Sequence, residues 1–243
     1  MARLAVSFPE FPRRTRGLPL ATTDSLVNYP DLGEKVYEVL RDQIVTCQLA
    51  PGSPLPVGEL SRQLGVSLTP VRDALNRLVA EGLVEDVARK GYFVAALDPA
   101  EIADLLGARR LIELAAVEEG IHLVEPEQLA EMARLVDGME SMVDEQGHYR
   151  DYADFSRKDS QFHQLVVASA GNRHLVQVYR RLSVHLHIYR TNLAAHTGPR
   201  LGLTDVREHR AILEGFRNRD LAALKSAIAM HVQQVAAALT SSK

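Results

Sequence analysis

The amino-acid sequence predicts a mainly α-helical protein with two parts. An N-terminal unit of helices and one strand pair is followed by an all-helical bundle. Two observations carry this prediction. From Gly33 onward, apolar residues recur mostly at three- and four-residue steps, which is the period of an amphipathic helix. The pattern becomes extended only after Gly82, where Leu83-Val84 and Tyr92-Phe93-Val94 flank the turn Arg89-Lys90-Gly91.

Two helices of the N-terminal unit are predicted within residues 59–80. Their apolar faces are marked by Leu60 and Leu64 in the first helix, and by Val71, Leu75, Leu78 and Val79 in the second. The connection Gly65-Val66-Ser67 contains a glycine, which permits the positive φ of a sharp turn. Thr69 can cap the second helix, with Pro70 in its first turn. This pattern is typical of a helix-turn-helix, whose second helix enters the major groove of DNA.

The extended stretch predicts a hairpin with the cations Arg89 and Lys90 at its tip. Beside a DNA-reading helix, such a hairpin is a wing that contacts phosphates or the minor groove. The net charge of the chain is −3, so DNA binding must depend on where the basic residues lie. The candidate DNA-contacting residues are Arg62, Ser67, Thr69, Pro70, Arg72, Arg77, Arg89, Lys90 and Gly91.

These motifs, in this order, resemble a known family. ELSRQLGVS, TPVRDAL, EGLV and KGYFVA are similar to the winged helix-turn-helix of the GntR family of bacterial transcription regulators, over roughly Val36 to Ala96. The resemblance implies double-stranded operator DNA as the partner. It departs at Leu68, where the family usually has an arginine that reads DNA. The departure implies a different operator, or a larger share of recognition for Arg72 and the wing.

Composition favours a globular protein of the cytoplasm. With 46% hydrophobic residues, a chain of 243 residues can bury the core of one or two domains. The single cysteine, Cys47, excludes a disulfide framework and fits a reducing compartment. No apolar run approaches the ~18 residues of a membrane-spanning helix. We therefore expect no contact with membranes.

The chain divides into three predicted segments. Residues 1–32 carry four prolines and no sustained period, which predicts a disordered leader. The cluster Arg13-Arg14-Arg16 leaves a basic arm that contacts DNA, or a transit peptide, as alternatives. Residues 33–97 form the winged unit. A boundary near Leu97 is followed by the helix-start signal Asp98-Pro99-Ala100-Glu101, and residues 98–243 form the bundle.

The bundle is predicted to contain six helices, possibly seven. The segments run roughly over 98–123, 126–146, 149–170, 173–196, 204–217 and 220–239, and no strand pattern interrupts them. The breaks between them contain glycine, proline or asparagine, which are ordinary turn residues. A bundle of this size has room for a central pocket.

Four side chains of the bundle are candidate metal ligands. Asp159 and His163 lie one turn apart on a helix face that also carries Phe155 and Phe162, so both should point inward. A buried carboxylate without a partner costs several kcal/mol, so Asp159 needs a cation or strong donors. His209 and His231 fall in apolar stripes of the last two helices. Together the four would suit zinc, or alternatively nickel, manganese or iron, although a single such histidine is more often a core residue.

The order DSQFHQLVVASAGN, EHRAIL and AMHV resembles the FCD ligand-sensing domain, which follows the GntR reader in the FadR-like subfamily. The resemblance implies that Asp159, His163, His209 and His231 hold a divalent metal ion. ARRLIELAAVEEG is similar to the R-x-x-x-E helix of that domain, with Arg109 and Glu113 at the matching positions.

Arg109 is the main candidate for binding an effector, because a guanidinium forms two parallel charge-assisted bonds with a carboxylate. We expect the effector to be a small organic or sugar acid shared between Arg109 and the metal. Arg190, on another bundle helix, is the second candidate. The alternative is that Arg109 and Glu113 form an ordinary surface ion pair one helical turn apart.

Two functions are compatible with these motifs. The first is a ligand-responsive regulator, a repressor rather than an activator, that binds a palindromic operator as a homodimer. The second is a metal-dependent hydrolase or isomerase acting on a small acid, with an appended winged helix. A hydrolytic site needs a general base beside the metal, and the sequence shows no second acidic residue paired with these motifs. We therefore expect a sensor and not an enzyme.

Overall fold

A computed structural model describes residues 29–96, 99–197 and 202–240. Most of the predicted leader and the predicted cap Asp98 lie outside the described residues. The first described helix begins at Tyr29 and not at Gly33, so the last four residues assigned to the leader are helical. The first part of the chain, called here the reader domain (residues 29–96), contains α1 (Tyr29–Val45), β1 (Pro54–Leu55), α2 (Val57–Leu64), α3 (Leu68–Ala80), β2 (Val84–Val87) and β3 (Gly91–Val94).

The helix-turn-helix of the reader domain is α2 and α3. Gly65 ends α2 with φ at 66°, the left-handed conformation that the sequence predicted for this turn. The expected apolar residues Leu60, Val71 and Leu75 are fully buried. The predicted cap is wrong. Since α3 already begins at Leu68, Ser67 is the cap residue, and it forms no side-chain capping hydrogen bond.

The wing is a three-stranded antiparallel sheet with the order β1-β3-β2. The predicted hairpin pairs Val84 with Val94 and Val87 with Gly91. At its tip, Arg89 adopts a positive φ of 65°. Strand β1 was not predicted, because two residues are too few to show an alternating pattern.

The second part of the chain is helical, as predicted. Its described helices are α4 (Pro99–Gly120), α5 (Pro126–Ser141), α6 (Tyr152–Ala168), α7 (Arg173–Thr197), α8 (Gly202–Arg217) and α9 (Leu221–Thr240). Helix α5 ends five residues earlier than expected. The Asp144 carboxylate accepts backbone N–H bonds from Gln146 and His148, and this turn replaces the last helical turn.

Helices α4, α5, α6, α8 and α9 surround the main core of the bundle, whose largest side chains are Phe155, Phe162 and Phe216. Helix α4 and the end of α6 approach closely at Gly120. A Cβ atom there would lie 2.4 Å from the backbone carbon of Ser169. No described helix is both long and apolar enough to cross a membrane.

Helix α7 connects the bundle to the reader domain. Its residue Ile188 is buried in the apolar cluster of the reader domain. The Cys47 thiol of the reader domain donates to the Ile188 carbonyl oxygen over 3.5 Å. One turn earlier, Nε2 of His185 lies 3.1 Å from the carbonyl oxygen of Gly82.

Candidate functional site

The four predicted metal ligands lie together at the centre of the bundle. Asp159 and His163 come from α6, His209 from α8 and His231 from α9. All four are buried, and one ligand atom from each lies within 4.8 Å of every other. The helical spacing of Asp159 and His163 and the apolar stripes around His209 and His231 therefore indicated correctly which way these side chains point.

The outer ring nitrogen of His209 fixes the tautomer of this imidazole. Its Nδ1 lies 2.6 Å from the carbonyl oxygen of Asp205, which can only accept a hydrogen bond. Nδ1 therefore carries the proton. In the neutral ring, Nε2 of His209 then carries the lone pair and points towards Asp159 and His163.

His231 is fixed in the same way from both sides. Its Nε2 lies 3.3 Å from Nη2 of Arg109, which can only donate, so Nε2 carries the lone pair. Its Nδ1 donates to the Glu208 carboxylate over 2.8 Å. Such a carboxylate behind an imidazole is the usual second layer of a metal site, where it orients the ring and raises its basicity.

The third imidazole, His163, has Nδ1 3.1 Å from the Glu113 carboxylate and therefore donates to it. Burial, followed by the nearby charge of Arg109, lowers the pKa of His163 to about 4. Burial, followed by the neighbouring His209, also lowers the pKa of His231 well below its usual value. His163 and His231 are therefore neutral at pH 7, with inward lone pairs.

Asp159 adds a charged oxygen to this ring of acceptors. Burial tends to raise its pKa, but the charge of Arg190 holds it well below the usual value. Oδ1 of Asp159 is buried, has no hydrogen-bond partner and lies 3.1 Å from Nε2 of His209. That nitrogen in turn lies 3.2 Å from Nε2 of His163. Since these atoms are acceptors without protons between them, the set fits a divalent cation.

Arg109 and Glu113 form a buried ion pair, so the predicted alternative of a surface pair is wrong. Arg109 is 3% exposed and Glu113 0%. Nε of Arg109 donates to Oε1 of Glu113 over 2.8 Å, and the Tyr179 hydroxyl donates to the same oxygen. Burial tends to raise the pKa of Glu113, but His163 and Arg109 lower it to about 2.

A small cavity of about 10 Å³ lies beside two of the four candidate ligands, Asp159 and His163. Both predicted effector-binding arginines, Arg109 and Arg190, line it. Nη1 of Arg190 donates to Oδ2 of Asp159 over 2.8 Å, and its Nε donates to the Tyr152 hydroxyl over 3.2 Å. The complete lining is Arg109, Ser156, Asp159, Ser160, His163, Tyr179, Ser183, Leu186, His187 and Arg190.

Sequence reasoning named Arg190 but missed the rest of the polar wall that α7 contributes to this cavity. Tyr179, Ser183, His187 and Arg190 follow one another at steps of three and four, so they share a helix face. Nδ1 of His187 forms a 2.8 Å hydrogen bond with the Ser156 hydroxyl. The polar stripe was visible in the sequence, but it resembles the solvated face of a surface helix.

A second candidate site is the groove between α3 and the wing. Arg72 of α3 and Lys90 and Gly91 of the wing line this groove together with Tyr92 and residues 54–57. The other candidates that lie exposed on the reader domain are Arg62, Ser67, Thr69, Arg77 and Arg89. Arg62 also forms an ion pair with Glu59 of its own helix.

Two candidate DNA-contacting residues are placed elsewhere. Pro70 is buried in the reader domain, so its ring shapes the start of α3 and cannot contact DNA. Arg77 points towards α1. Its guanidinium lies 2.5 Å from Glu34 and 3.9 Å from the centre of the Tyr37 ring.

Comparisons with known proteins agree with this architecture. The chain is 29% identical to an uncharacterized HTH-type transcriptional regulator in an unstable DNA locus of Streptomyces ambofaciens, over 89% of this chain and 86% of that protein. It is 26% identical to the HTH-type transcriptional repressor RspR of Escherichia coli K12, over 84% and 87% respectively. The solved structure of E. coli McbR/YncC shares the fold, with a TM-score of 0.71 and 21% identity, over 89% of this chain and 99% of that chain.

The family matches cover both parts of the chain. Residues 32–94 match the gntR family of bacterial regulatory proteins, and residues 104–234 match the FCD domain. The family and these relatives are transcriptional regulators, which sets aside the alternative of a metal-dependent hydrolase or isomerase. The chain therefore belongs to the GntR family of DNA-binding transcriptional regulators and carries an FCD domain.

Proposed function

We propose that this regulator is a repressor that senses a small organic or sugar acid at a divalent metal site in its FCD domain. Asp159, His163, His209 and His231 would hold the ion. The observation that carries the proposal is their buried cluster, in which one ligand atom from each lies within 4.8 Å of every other. The name of the relative RspR as a repressor supports the sign of regulation.

The donor set favours zinc, with nickel, manganese or iron as alternatives. When bound, the ion would supply a positive centre that attracts and orients a carboxylate. The chain supplies the rest. Glu113, Glu208 and the Asp205 carbonyl hold the three imidazoles in the orientation that presents Nε2 inward. Metal-ligating histidines usually have such outer partners.

The charges around the cavity favour an anionic effector. Arg109 and Arg190 are matched by Glu113 and Asp159. An added dication would leave these four side chains and the ion with an excess of positive charge. Asp205, 3.8 Å from Arg190, and Glu208, 2.8 Å from His231, offset this excess only to the extent that they are ionised, and burial raises the pKa of both. A carboxylate would neutralise this excess, and a buried arginine can bind it through two parallel bonds.

Helix α7 supports a route from the cavity to DNA. Tyr179 and Arg190 line the cavity, while His185 and Ile188 of the same helix contact the reader domain. An effector can act only through a difference in affinity between two states. A shift of α7 would change how the reader domain is held. Two readers in a homodimer would then engage a palindromic operator differently.

The proposal is tested with full-length wild type, His209→Ala and the matched control His122→Ala, which removes an exposed imidazole. Metal content is measured by elemental analysis. DNA affinity is measured by fluorescence anisotropy on a duplex selected from a random pool, with and without a panel of small organic and sugar acids. We expect only His209→Ala to lose both the metal and the acid response. Full metal content in that variant, or an unchanged wild-type affinity with every acid, would contradict the proposal.

A further inference from the structure

Leu68 is an apolar side chain on the surface that reads DNA. It is the first residue of α3 and is 47% exposed. The other large apolar residues of this helix behave differently, since Val71, Leu75 and Leu78 are completely buried and Val79 is partly buried. Within the described residues of the reader domain, Leu68 alone combines a large apolar side chain with high exposure.

The position of Leu68 on the helix directs it to the same surface as Arg72. Leu68, Arg72 and Asn76 are four residues apart, so they form one exposed ridge along α3. Arg72 lines the groove towards Lys90 of the wing. Asn76 accepts a hydrogen bond from the Tyr92 hydroxyl over 2.8 Å, so it is already engaged with the wing. Leu68 stands at the N-terminal end of the ridge, the end that contacts base edges in a helix-turn-helix.

The chemistry of the major groove leaves few partners for a leucine. The edges of guanine, adenine and unmethylated cytosine present mainly hydrogen-bonding groups, whereas thymine adds a C5-methyl group. A leucine pressed against polar edges would displace water and leave donors or acceptors unsatisfied. Against a methyl group, the same leucine removes apolar surface from water without that penalty.

We infer that Leu68 determines sequence specificity by contacting the C5-methyl group of a thymine, at one position in each operator half-site. Arg72, one turn further along the ridge, supplies hydrogen bonds to an adjacent base or phosphate. The inference rests on operator binding by the reader domain and is independent of the metal site. It also predicts that 5-methylcytosine substitutes for thymine at this position better than cytosine does, because only 5-methylcytosine keeps the methyl group.

The test begins with a duplex selected from a random pool by the full-length protein, with and without chelator. Each conserved thymine is then replaced singly by deoxyuridine, which removes only the methyl group. Binding is compared for wild type, Leu68→Ala and the control Leu123→Ala. Leu123 is 57% exposed and lies outside the reader domain. Thermal melting verifies that the variants are folded.

A single substitution at the contacted thymine should weaken binding of wild type and Leu123→Ala by about tenfold, towards the lower end for one mismatched base pair. Leu68→Ala should bind thymine and deoxyuridine duplexes equally. The inference is overturned if no deoxyuridine substitution affects the wild type, or if Leu68→Ala loses as much affinity as the wild type does. Failure to select any duplex would overturn both this inference and operator binding itself. Loss of the acid response alone would contradict the proposed metal site but not the role of Leu68.

Discussion

The imidazole of His185 in α7 contacts the carbonyl oxygen of Gly82, the second residue after the end of α3. Its Nε2 lies 3.1 Å from that oxygen, and its Nδ1 lies 2.8 Å from the carbonyl oxygen of Arg181. A single side chain therefore links α7, which lines the cavity, to the turn that follows α3, the helix proposed to read DNA.

The first concerns communication between the two sites. Replacing His185 with Ala should leave metal content and acid-induced stabilisation unchanged, because the side chain does not line the cavity. In the wild type, the ratio of DNA affinities without and with acid should correspond to a coupling free energy of about 1–3 kcal/mol. In His185→Ala this ratio should move towards one, because the contact between α7 and the reader domain is lost. Fluorescence anisotropy measures this ratio. His174→Ala, an exposed histidine of the same helix, should keep the wild-type ratio, and an unchanged ratio in His185→Ala would place the coupling elsewhere.

The second concerns the carboxylate of the proposed metal centre. Asp159→Asn keeps the shape of the side chain but removes the charge that the dication and Arg190 share. Metal content should fall severely, and zinc should no longer raise the melting temperature. In the wild type, zinc at 100 times its Kd should add about 2.7 kcal/mol to the unfolding free energy. Asp151→Asn, a change at the cap of the same helix, should retain the metal. Equal zinc stabilisation of Asp159→Asn and wild type would remove Asp159 from the ligand set.

The third concerns the buried pair Arg109–Glu113. Arg109→Ala leaves Glu113 buried without its cation, which should lower the unfolding free energy by about 3–5 kcal/mol. Arg110→Ala, the exposed neighbour, should change it by less than about 0.5 kcal/mol. Adding Glu113→Gln to Arg109→Ala should restore part of the loss. Urea denaturation measures the wild type, the single variants Arg109→Ala, Glu113→Gln and Arg110→Ala, and the double variant. An additive double variant would show that Arg109 and Glu113 do not depend on each other.

The fourth concerns pH. In the metal-free protein, the pKa of His163 is lowered from 6.5 to about 4. Between these two pH values the unfolded chain binds a proton that the folded protein does not, so unfolding takes up a proton. The contribution of neutral His163 to the unfolding free energy is complete above about pH 6.5. It is lost as the pH falls towards 4, at about 1.4 kcal/mol per pH unit. Glu113, with its pKa lowered to about 2, adds a loss of the same sign below about pH 4.5. Urea denaturation from pH 7 to 4 should show the decline, and His163→Asn should make it shallower above pH 4.5, where His231, whose pKa is also lowered, still contributes.

The fifth separates DNA contacts from structural arginines. Arg72→Ala and Lys90→Ala should each weaken operator binding by about 1–3 kcal/mol, since both side chains line the groove. Arg77→Ala should lower the stability of the reader domain by up to about 1 kcal/mol, because it breaks an exposed ion pair with Glu34. Its operator preference should stay that of the wild type. A change in preferred sequence for Arg77→Ala would return that residue to the interface.

Much of this architecture follows from periodicity. The three-to-four spacing of apolar residues identified the helices and the inward faces of His163, His209 and His231, because a helix must bury its apolar stripe. What the sequence could not supply were contacts set by tertiary packing. Arg72 and Arg77 are both exposed arginines of α3, and only the folded structure shows that Arg77 pairs with Glu34 of α1. Likewise, only the packing of the reader domain shows that Pro70 is buried.

Apart from Arg190, the polar wall of α7 was missed for the same reason. A stripe containing Ser183, His187 and Arg190 has the composition of a solvated face, and only the packing of α7 on α6 encloses it. Local ends of elements also escaped prediction. Helix α5 stops at Ser141 because one carboxylate, that of Asp144, accepts nearby backbone N–H groups. Side-chain bonds of this kind compete with helix formation without altering the hydrophobic pattern.

The close approach of α4 and α6 at Gly120 leaves no room for a side chain at this position. Since a methyl group there would lie 2.4 Å from the backbone of Ser169, even alanine must force α4 away from α6. Glu113 of α4 and His163 of α6 meet across that same seam, over 3.1 Å. Because residue 120 has no side chain, α4 and α6 can pack in direct backbone contact. The contact between Glu113 and the His163 imidazole, about two helical turns away, depends on this close packing.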